Sequence, residues 1–313
     1  MKKNDTILVL GASGLIGSSI KKNLLVDGYT NVLTPPREEL DLENILIVDN
    51  YFKKHKPLYL FNAAGKVGGI LENKSFPFDF INKNLLIQNN VFQMAEKHNL
   101  LKVIFFGSSC MYPLSSKQPM SVDNIMKGEL ESTSLGYAMA KLSGLFFCIY
   151  YNKQHKKNKY AALIPNSTFG PNDNFDENSS HVLSALIAKF YRAKKDGEDV
   201  FLWGSGKPKR EFIYSSDVAD ASIFIAKSND IDLKSPINIG TGNEVSIYDL
   251  AQLIAKLINF QGNIHWDDSK PDGAMRKLLD SSPLRDMGWK PNFSFNEALK
   301  NTIEWYIHDY EKK

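Results

Sequence analysis

The sequence predicts an α/β protein in which a doubly wound parallel sheet precedes a smaller α/β domain that holds a substrate. Three observations carry that prediction. The apolar run Thr6–Leu10 leads straight into Gly11-Ala-Ser-Gly14-Leu-Ile-Gly17, and Ser18–Leu25 then has the pattern of a helix. Short apolar runs alternate with helical stretches up to about residue 170, as expected of parallel strands joined by right-handed crossovers. Beyond that point the pattern breaks into shorter pieces, with turns expected at Gly204-Ser-Gly206, Gly240-Thr-Gly242 and Pro271-Asp-Gly273. The combination is Rossmann-type. Residues 1–170 are assigned to a dinucleotide-binding domain and 171–313 mainly to a substrate domain, with part of 211–242 returning to the sheet.

The elements follow in order. Thr6–Leu10 reads as a buried strand, because a parallel strand covered on both faces is continuously apolar. Asn31–Leu33 is a short second strand, Leu58–Asn62 a third, Lys102–Phe106 a fourth and Tyr160–Ile164 a fifth. Each of the last three ends in a segment rich in small or polar residues: Ala63-Ala-Gly65, Gly107-Ser-Ser-Cys110 and Pro165-Asn-Ser-Thr168. In open α/β sheets ligands bind outside the carboxyl ends of the strands, so these segments are the candidate site.

Composition bounds the function. The chain has 313 residues, a formal charge of +3 and two cysteines. Its apolar runs are too short for a membrane helix and its charge leaves no nucleic-acid or membrane footprint. Cys110 and Cys148 are too few for a disulfide framework, which points to a reducing cytoplasm. The histidines have no metal-ligand spacing. Positive charge is nearly all lysine, with five arginines at 37, 192, 210, 276 and 285.

The glycines between the first strand and helix let the chain turn tightly and bring backbone N–H groups to a pyrophosphate. Their spacing is Gly-x-x-Gly-x-x-Gly rather than Gly-x-Gly-x-x-Gly. Arg37, just past the second strand, stands where a 2′-phosphate would be met, which favours NADP(H). Further on, Tyr137 and Lys141 share one helix face a turn apart. A lysine ammonium held near a phenol, often with the positive end of a cofactor ring, favours phenolate and lowers its pKa, so Tyr137 becomes a proton donor to a carbonyl receiving hydride, with Ser108 on the same oxygen. Tyr-x-x-x-Lys alone is a weak signal; the glycine loop upstream gives it weight. Asp217 reads equally as a helix N-cap or a ligand.

Several longer segments are more specific. They include Ala63-Ala-Gly-Lys-Val-Gly-Gly69, Gly107-Ser-Ser-Cys-Met-Tyr-Pro113, Tyr137-Ala-Met-Ala-Lys141 and Gly170-Pro-Asn-Asp-Asn-Phe175. Lys117-Gln-Pro-Met120, Ser180-His-Val182, Trp203-Gly-Ser-Gly206, Arg210-Glu-Phe212 and Lys270-Pro-Asp-Gly273 with Arg276-Lys-Leu-Leu-Asp280 complete them. By these the chain resembles, nearly end to end, the extended short-chain dehydrogenase/reductase family, and within it the GDP-4-keto-6-deoxy-mannose 3,5-epimerase/4-reductase group. The resemblance implies a catalytic set of Ser108, Cys110, Tyr137, Lys141 and His181. Cys110 as thiolate would remove the protons at C3 and C5, His181 would return protons from the other face, and Tyr137 would protonate the reduced C4 oxygen. Cofactor contacts are implied at Gly11, Ser13, Gly14, Leu15, Ile16, Gly17, Arg37, Asp41, Leu42, Ala63, Ala64, Gly65, Lys141, Pro165, Asn166, Ser167, Thr168 and His181. Substrate contacts are implied at Lys189, Trp203, Arg210, Arg276 and Asp280. The partners implied are a GDP-4-keto-6-deoxy-sugar and, through the helix bearing Tyr137 and its predecessor, a second copy of the chain.

Two departures from that pattern bear on substrate and cofactor. Ala12-Ser13 stands where well-known members carry His-Arg, and Ser167 stands where they carry Asn. The alternative reading is therefore a C4-reductase acting on a GDP-4-keto-6-deoxy-heptose for surface-glycan synthesis. A non-enzymatic dinucleotide-binding protein would be free to lose Ser108, Tyr137 or Lys141, and all three are present.

Overall fold

The N-terminal apolar run forms strand β1 (Ile7–Leu10), buried at every position, and Gly14 caps helix α1 (Leu15–Val26). In this computed structural model residues 1–176, 179–228, 231–270 and 272–311 are described; Pro271, in the third expected turn, lies outside them. There follow β2 (Val32–Leu33), α2 (Ile45–His55), β3 (Tyr59–Asn62), α3 (Ile70–Ser75), α4 (Pro77–Lys97), β4 (Lys102–Phe106), α5 (Leu135–His155) and β5 (Tyr160–Pro165). Next come β6 (Ser167–Phe169), α6 (Val182–Asp196), β7 (Val200–Trp203), β8 (Lys209–Arg210), β9 (Phe212–Tyr214), α7 (Ser215–Lys227) and β10 (Ile237–Ile239). The chain ends through β11 (Val245–Ser246), α8 (Ile247–Ile258), β12 (Ile264–Asp267), β13 (Arg276–Lys277), α9 (Ser282–Asp286) and α10 (Phe295–Trp305).

Six strands make the central sheet in the order β10-β5-β4-β3-β1-β2, with every neighbouring pair parallel. The two-residue alternation of a strand divides its side chains between two cores. Leu8, Leu60, Val103 and Ala162 pack on one face with Phe92 and Leu145 of α4 and α5. Ile7, Val9, Phe61 and Ile104 pack on the other with Ile20 of α1 and Val218 of α7. The chain leaves β1 for β2 on one side and returns to β3 on the other, so their carboxyl ends open a crevice at the switch point. β10 reaches the sheet beside β5, with Ile237 opposite Leu163. A third apolar cluster, centred on α6, α8 and α10, backs the two-stranded pair β7–β12.

The boundaries differ modestly from the sequence reading. β2 has two residues rather than three, and α1 starts at Leu15, because Gly14 already adopts the extended conformation of a cap. Asp217 is neither an N-cap nor placed as a ligand. It sits in the first turn of α7, only 1% exposed, and accepts the Asn292 N–H at 2.8 Å. Burial pushes its carboxyl up to about 6, against the opposing pull of the Asn292 and Phe293 N–H groups. A raised folded-state pKa contributes stability that is full below the ordinary carboxylate range and is lost as the pH rises through the folded value. Asp217→Asn keeps the acceptor oxygen and cannot ionise. Its melting temperature is expected to gain on the parent by about 2 °C between about pH 5 and pH 8, for an effect of roughly 1.4 kcal/mol. An equal difference at both pH values would show that the carboxyl does not titrate there.

Candidate active site

The dinucleotide side is shaped by close backbone packing. Gly11 has φ +73°, and a Cβ there would lie 2.7 Å from the Ala63 carbonyl oxygen. A Cβ on Gly17 would run into the Gly11 carbonyl. The glycine loop therefore lies flat against the end of β3, where Ala63 N–H donates to the Leu10 carbonyl at 3.1 Å. Ser13 and Gly14 are exposed, Leu15 and Ile16 half-buried. Gly14 has no side chain to satisfy the first-turn N–H groups of α1, which face the crevice end of the sheet. These features fit a pyrophosphate.

Arg37 is exposed in the loop after β2 and pairs with Glu43 at 2.7 Å. Asp41 accepts the Glu43 N–H at 3.1 Å, and the Leu42 carbonyl accepts from Asn90 at 3.0 Å. Gly65 is exposed, and a Cβ on it would be 3.8 Å from Lys141 Nζ. This brings the end of β3 beside α5. Past β5, Pro165 and Asn166 are buried while Ser167 and Thr168 are half-buried. Asn166 Oδ1 accepts the Ser167 N–H at 3.0 Å, and Thr168 Oγ1 donates to the Asn166 carbonyl at 3.0 Å.

The carboxyl end of β4 delivers Ser108 and Cys110 on a single 3₁₀ turn, Ser109–Met111, with Ser108 as its cap. The first two turns of α5 supply Tyr137 and Lys141, and the Tyr137 ring stands edge-on to Phe80 at 6.2 Å. Lys141 is only 6% exposed, donates to the Phe106 carbonyl at 2.9 Å and lies 5.6 Å from the Tyr137 ring centroid. Burial lowers its pKa to about 8, with the Cys110 thiol acting in the opposite sense.

Here the structure corrects the expectation of a depressed phenol. Burial raises the Tyr137 pKa, the neighbouring Cys110 raises it further, and only the Ser108 hydroxyl lowers it. Lys141 is itself stripped of water and turned to a carbonyl, so it does little for the phenol. Tyr137 is thus held protonated, the state a donor needs. The Cys110 thiol is also pushed up by burial, and the groups that pull it down are the Ser108 hydroxyl, Lys277, Lys141 and its own N–H.

Three side chains at or just behind this site were not singled out from the sequence: Lys277, Glu131 and Glu211. Cys110 lines a narrow cleft with Tyr112, Met120, Glu131, Arg276 and Lys277. Lys277 and Glu131 form an ion pair across it at 3.2 Å. Burial would raise the Glu131 carboxyl, but Lys277, the Thr133 hydroxyl and Arg210 outweigh it and hold it below the usual range. Behind the cleft, Glu211 is fully buried and accepts from Gly242 N–H at 2.7 Å, Leu279 N–H at 3.0 Å and the Asn166 amide. Lys277 and Glu211 were visible only as members of the Arg276–Asp280 and Arg210–Phe212 segments. Glu131 had no signal.

The remaining candidates are spread around this centre. His181 is the exposed N-cap of α6. It acts on the carboxyl of Asp173, which burial raises and the Ser184 hydroxyl and this imidazole pull back. No hydrogen bond or ring contact among the described residues joins His181 to Cys110 or Tyr137. Lys189, on α6, donates to the Phe201 carbonyl at 3.1 Å. Trp203 is 73% exposed, with Lys270 Nζ 5.8 Å from its ring. Arg210 donates to the Lys209 carbonyl at 2.8 Å, and Arg276 Nε pairs with Glu244 at 2.6 Å. Asp280, just before α9, is turned to that helix, accepting the Ser282 N–H at 3.1 Å. Among the described residues no cluster of side chains has metal-binding geometry, and no helix is long and apolar enough to cross a membrane.

Known proteins with the same features place the chain. The pattern of the NAD dependent epimerase/dehydratase family matches residues 7–240. GDP-L-fucose synthase 1 of Arabidopsis thaliana is 42% identical over 309 residues, 97% of this chain and 94% of that protein. The GDP-mannoheptose C4 reductase from Campylobacter jejuni, solved with NADP bound, superposes with a TM-score of 0.89 at 33% identity, over 98% of this chain and 99% of that one. The GDP-L-fucose synthetase from Naegleria fowleri bound to NADP gives a TM-score of 0.91 at 28% identity, over 99% of this chain and 96% of that one. Family pattern, full-length identity and fold agree: the chain belongs to the NAD dependent epimerase/dehydratase family, and within it to the group that contains the GDP-L-fucose synthases.

Proposed function

We propose that this protein reduces the C4 ketone of a GDP-4-keto-6-deoxy-sugar and inverts the neighbouring C3 and C5 centres first. The observation that supports this best is the gathering of Ser108, Cys110, Tyr137 and Lys141 at the carboxyl end of β4, where a protonated phenol and a thiol share one hydroxyl. The glycine loop, Arg37 with Asp41 and Leu42, the Ala63–Gly65 turn and the Pro165–Thr168 segment would hold NADP(H). When bound, the cofactor supplies hydride to C4.

The chain's own residues do the rest. The ketone acidifies the protons at C3 and C5. Cys110 as thiolate takes one, leaving an enolate whose oxygen faces Ser108 and Tyr137, and His181 returns a proton to the opposite face. Exchange of both groups with solvent resets the pair for the second centre. Tyr137 Oη delivers the final proton to the C4 oxygen, with Ser108 hydrogen-bonding that oxygen and Lys141 beside the phenol ring assisting. Lys189, Arg210 and Arg276 would meet the diphosphate, the exposed Trp203 ring would cover an apolar face of the ligand, and Asp280 would accept from its hydroxyls. The two free cysteines suit a reducing cytoplasm, and the α4–α5 face, with a groove lined by Leu85, Leu86, Phe92 and Phe147, would be covered by a second copy of the chain.

The test is turnover of GDP-4-keto-6-deoxy-mannose with NADPH in D₂O. Reduction with solvent deuterium at both C3 and C5 is expected. Reduction without deuterium would replace this reading with the second one, a C4-reductase acting on a GDP-4-keto-6-deoxy-heptose. Ser167, in place of a longer Asn beside the reacting end, favours that alternative.

A further inference from the structure

We propose that Lys277, braced by Glu131, is the positioning residue that stabilises the thiolate of Cys110 and so sets the rate of proton abstraction. This rests on the reading of Cys110 as the base. The geometry begins with how firmly Lys277 is placed. β13 pairs with β8, setting Lys277 opposite Arg210. Its carbonyl accepts from the Glu211 N–H at 3.3 Å and the Asn166 amide at 3.4 Å. The next two residues are tied as well. Leu278 N–H donates to Gln118 Oε1 at 2.8 Å, and the Leu278 carbonyl accepts from Met120 N–H at 2.7 Å. Leu279 N–H donates to the buried Glu211. The strand carrying Lys277 is therefore stitched to the loop that follows Cys110, and the two side chains face one cleft.

The side chain is fixed at its other end by Glu131, which is held in turn by the Thr133 hydroxyl at 2.9 Å. The remaining groups around the sulfur are otherwise committed. Lys141 donates to a carbonyl and loses its charge near pH 8 through burial. Tyr137 keeps its proton and offers no positive charge. Ser108 contributes a hydroxyl only, and Arg276, on the cleft wall, is neutralised by Glu244. Glu131 opposes the thiolate, but it draws its own pairing from Lys277 and the field of Arg210. Lys277 is thus the larger of the two cations that oppose burial at the sulfur, and its removal leaves that work to the Ser108 hydroxyl, the weaker pull of Lys141 and the Cys110 N–H. A plain surface ion pair would need none of the backbone stitching and would leave the thiol indifferent to its loss.

The experiment measures the pH profile of Cys110 alkylation by iodoacetamide in the full-length protein, with Cys110→Ser as the blank for the buried Cys148. Lys277→Met is expected to slow alkylation at pH 8 roughly tenfold and displace the profile to higher pH. Lys277→Arg, which keeps the charge, is expected to stay within about twofold of the parent. Should Lys277→Met fail to fold, Lys277→Gln gives the same reading with a polar side chain in place. A parental alkylation profile in either neutral variant overturns the proposal. Absence of C3 and C5 exchange in the parent overturns the reading of Cys110 as base, and with it this role, whatever the alkylation shows; normal exchange with an unmoved profile overturns Lys277 alone.

Discussion

Tyr137→Phe is expected to remove ketone reduction while leaving solvent exchange at C3 and C5 in place. The phenol shares the Ser108 hydroxyl at the end of β4, and burial together with the thiol of Cys110 keeps it protonated. Losing a general acid of this kind costs between about 10² and 10⁴ in rate. The fold has little reason to suffer, because the ring's edge-on contact with Phe80 and its seat on α5 need no hydroxyl. Proton abstraction by Cys110 does not pass through the phenol, so deuterium should still enter the substrate. Following NADPH consumption and deuterium incorporation in the same sample separates the two steps. Reduction within about tenfold of the parent would show that another group protonates the C4 oxygen.

What the sequence discloses and what it hides follow from distance along the chain. β1, the glycine loop and α1 are contiguous, and the Tyr137–Lys141 pair lies within about one helical turn. Such local patterns are legible because a strand or helix imposes its period on neighbouring residues. β8, β11 and β13 each have two residues, too short to show any period, yet β13 carries Lys277 to the cleft that Cys110 lines. Glu211 collects partners from residues 166, 242 and 279, a convergence that only the folded chain reveals. The same holds for charge. A lysine one turn from a tyrosine suggested a depressed phenol; burial at α5 reversed the sign for Tyr137 and brought Lys141 down instead. Spacing shows which groups can meet, but not how much water surrounds them when they do.

Cys110→Ser should divide the reaction at its other joint. A serine hydroxyl fits the space of the thiol and keeps the neighbourhood of Ser108 and the 3₁₀ turn intact. It is a far weaker acid than a thiol, so neither Lys277 nor Lys141 can hold it ionised near neutral pH, and the abstraction step loses its base. Exchange at C3 and C5 is expected to fall by roughly 10² or more. Tyr137, Lys141 and Ser108 remain, so the ketone is still reduced, now without inversion. The product should change from the doubly inverted sugar to its uninverted 4-hydroxy counterpart, which NMR coupling constants distinguish. That switch in product, rather than a uniform loss of rate, is what assigns proton abstraction to Cys110. Were the variant to invert and reduce at the parental rate, the base would have to be sought elsewhere, and the exposed His181 with its Asp173 neighbour would be the group to test next.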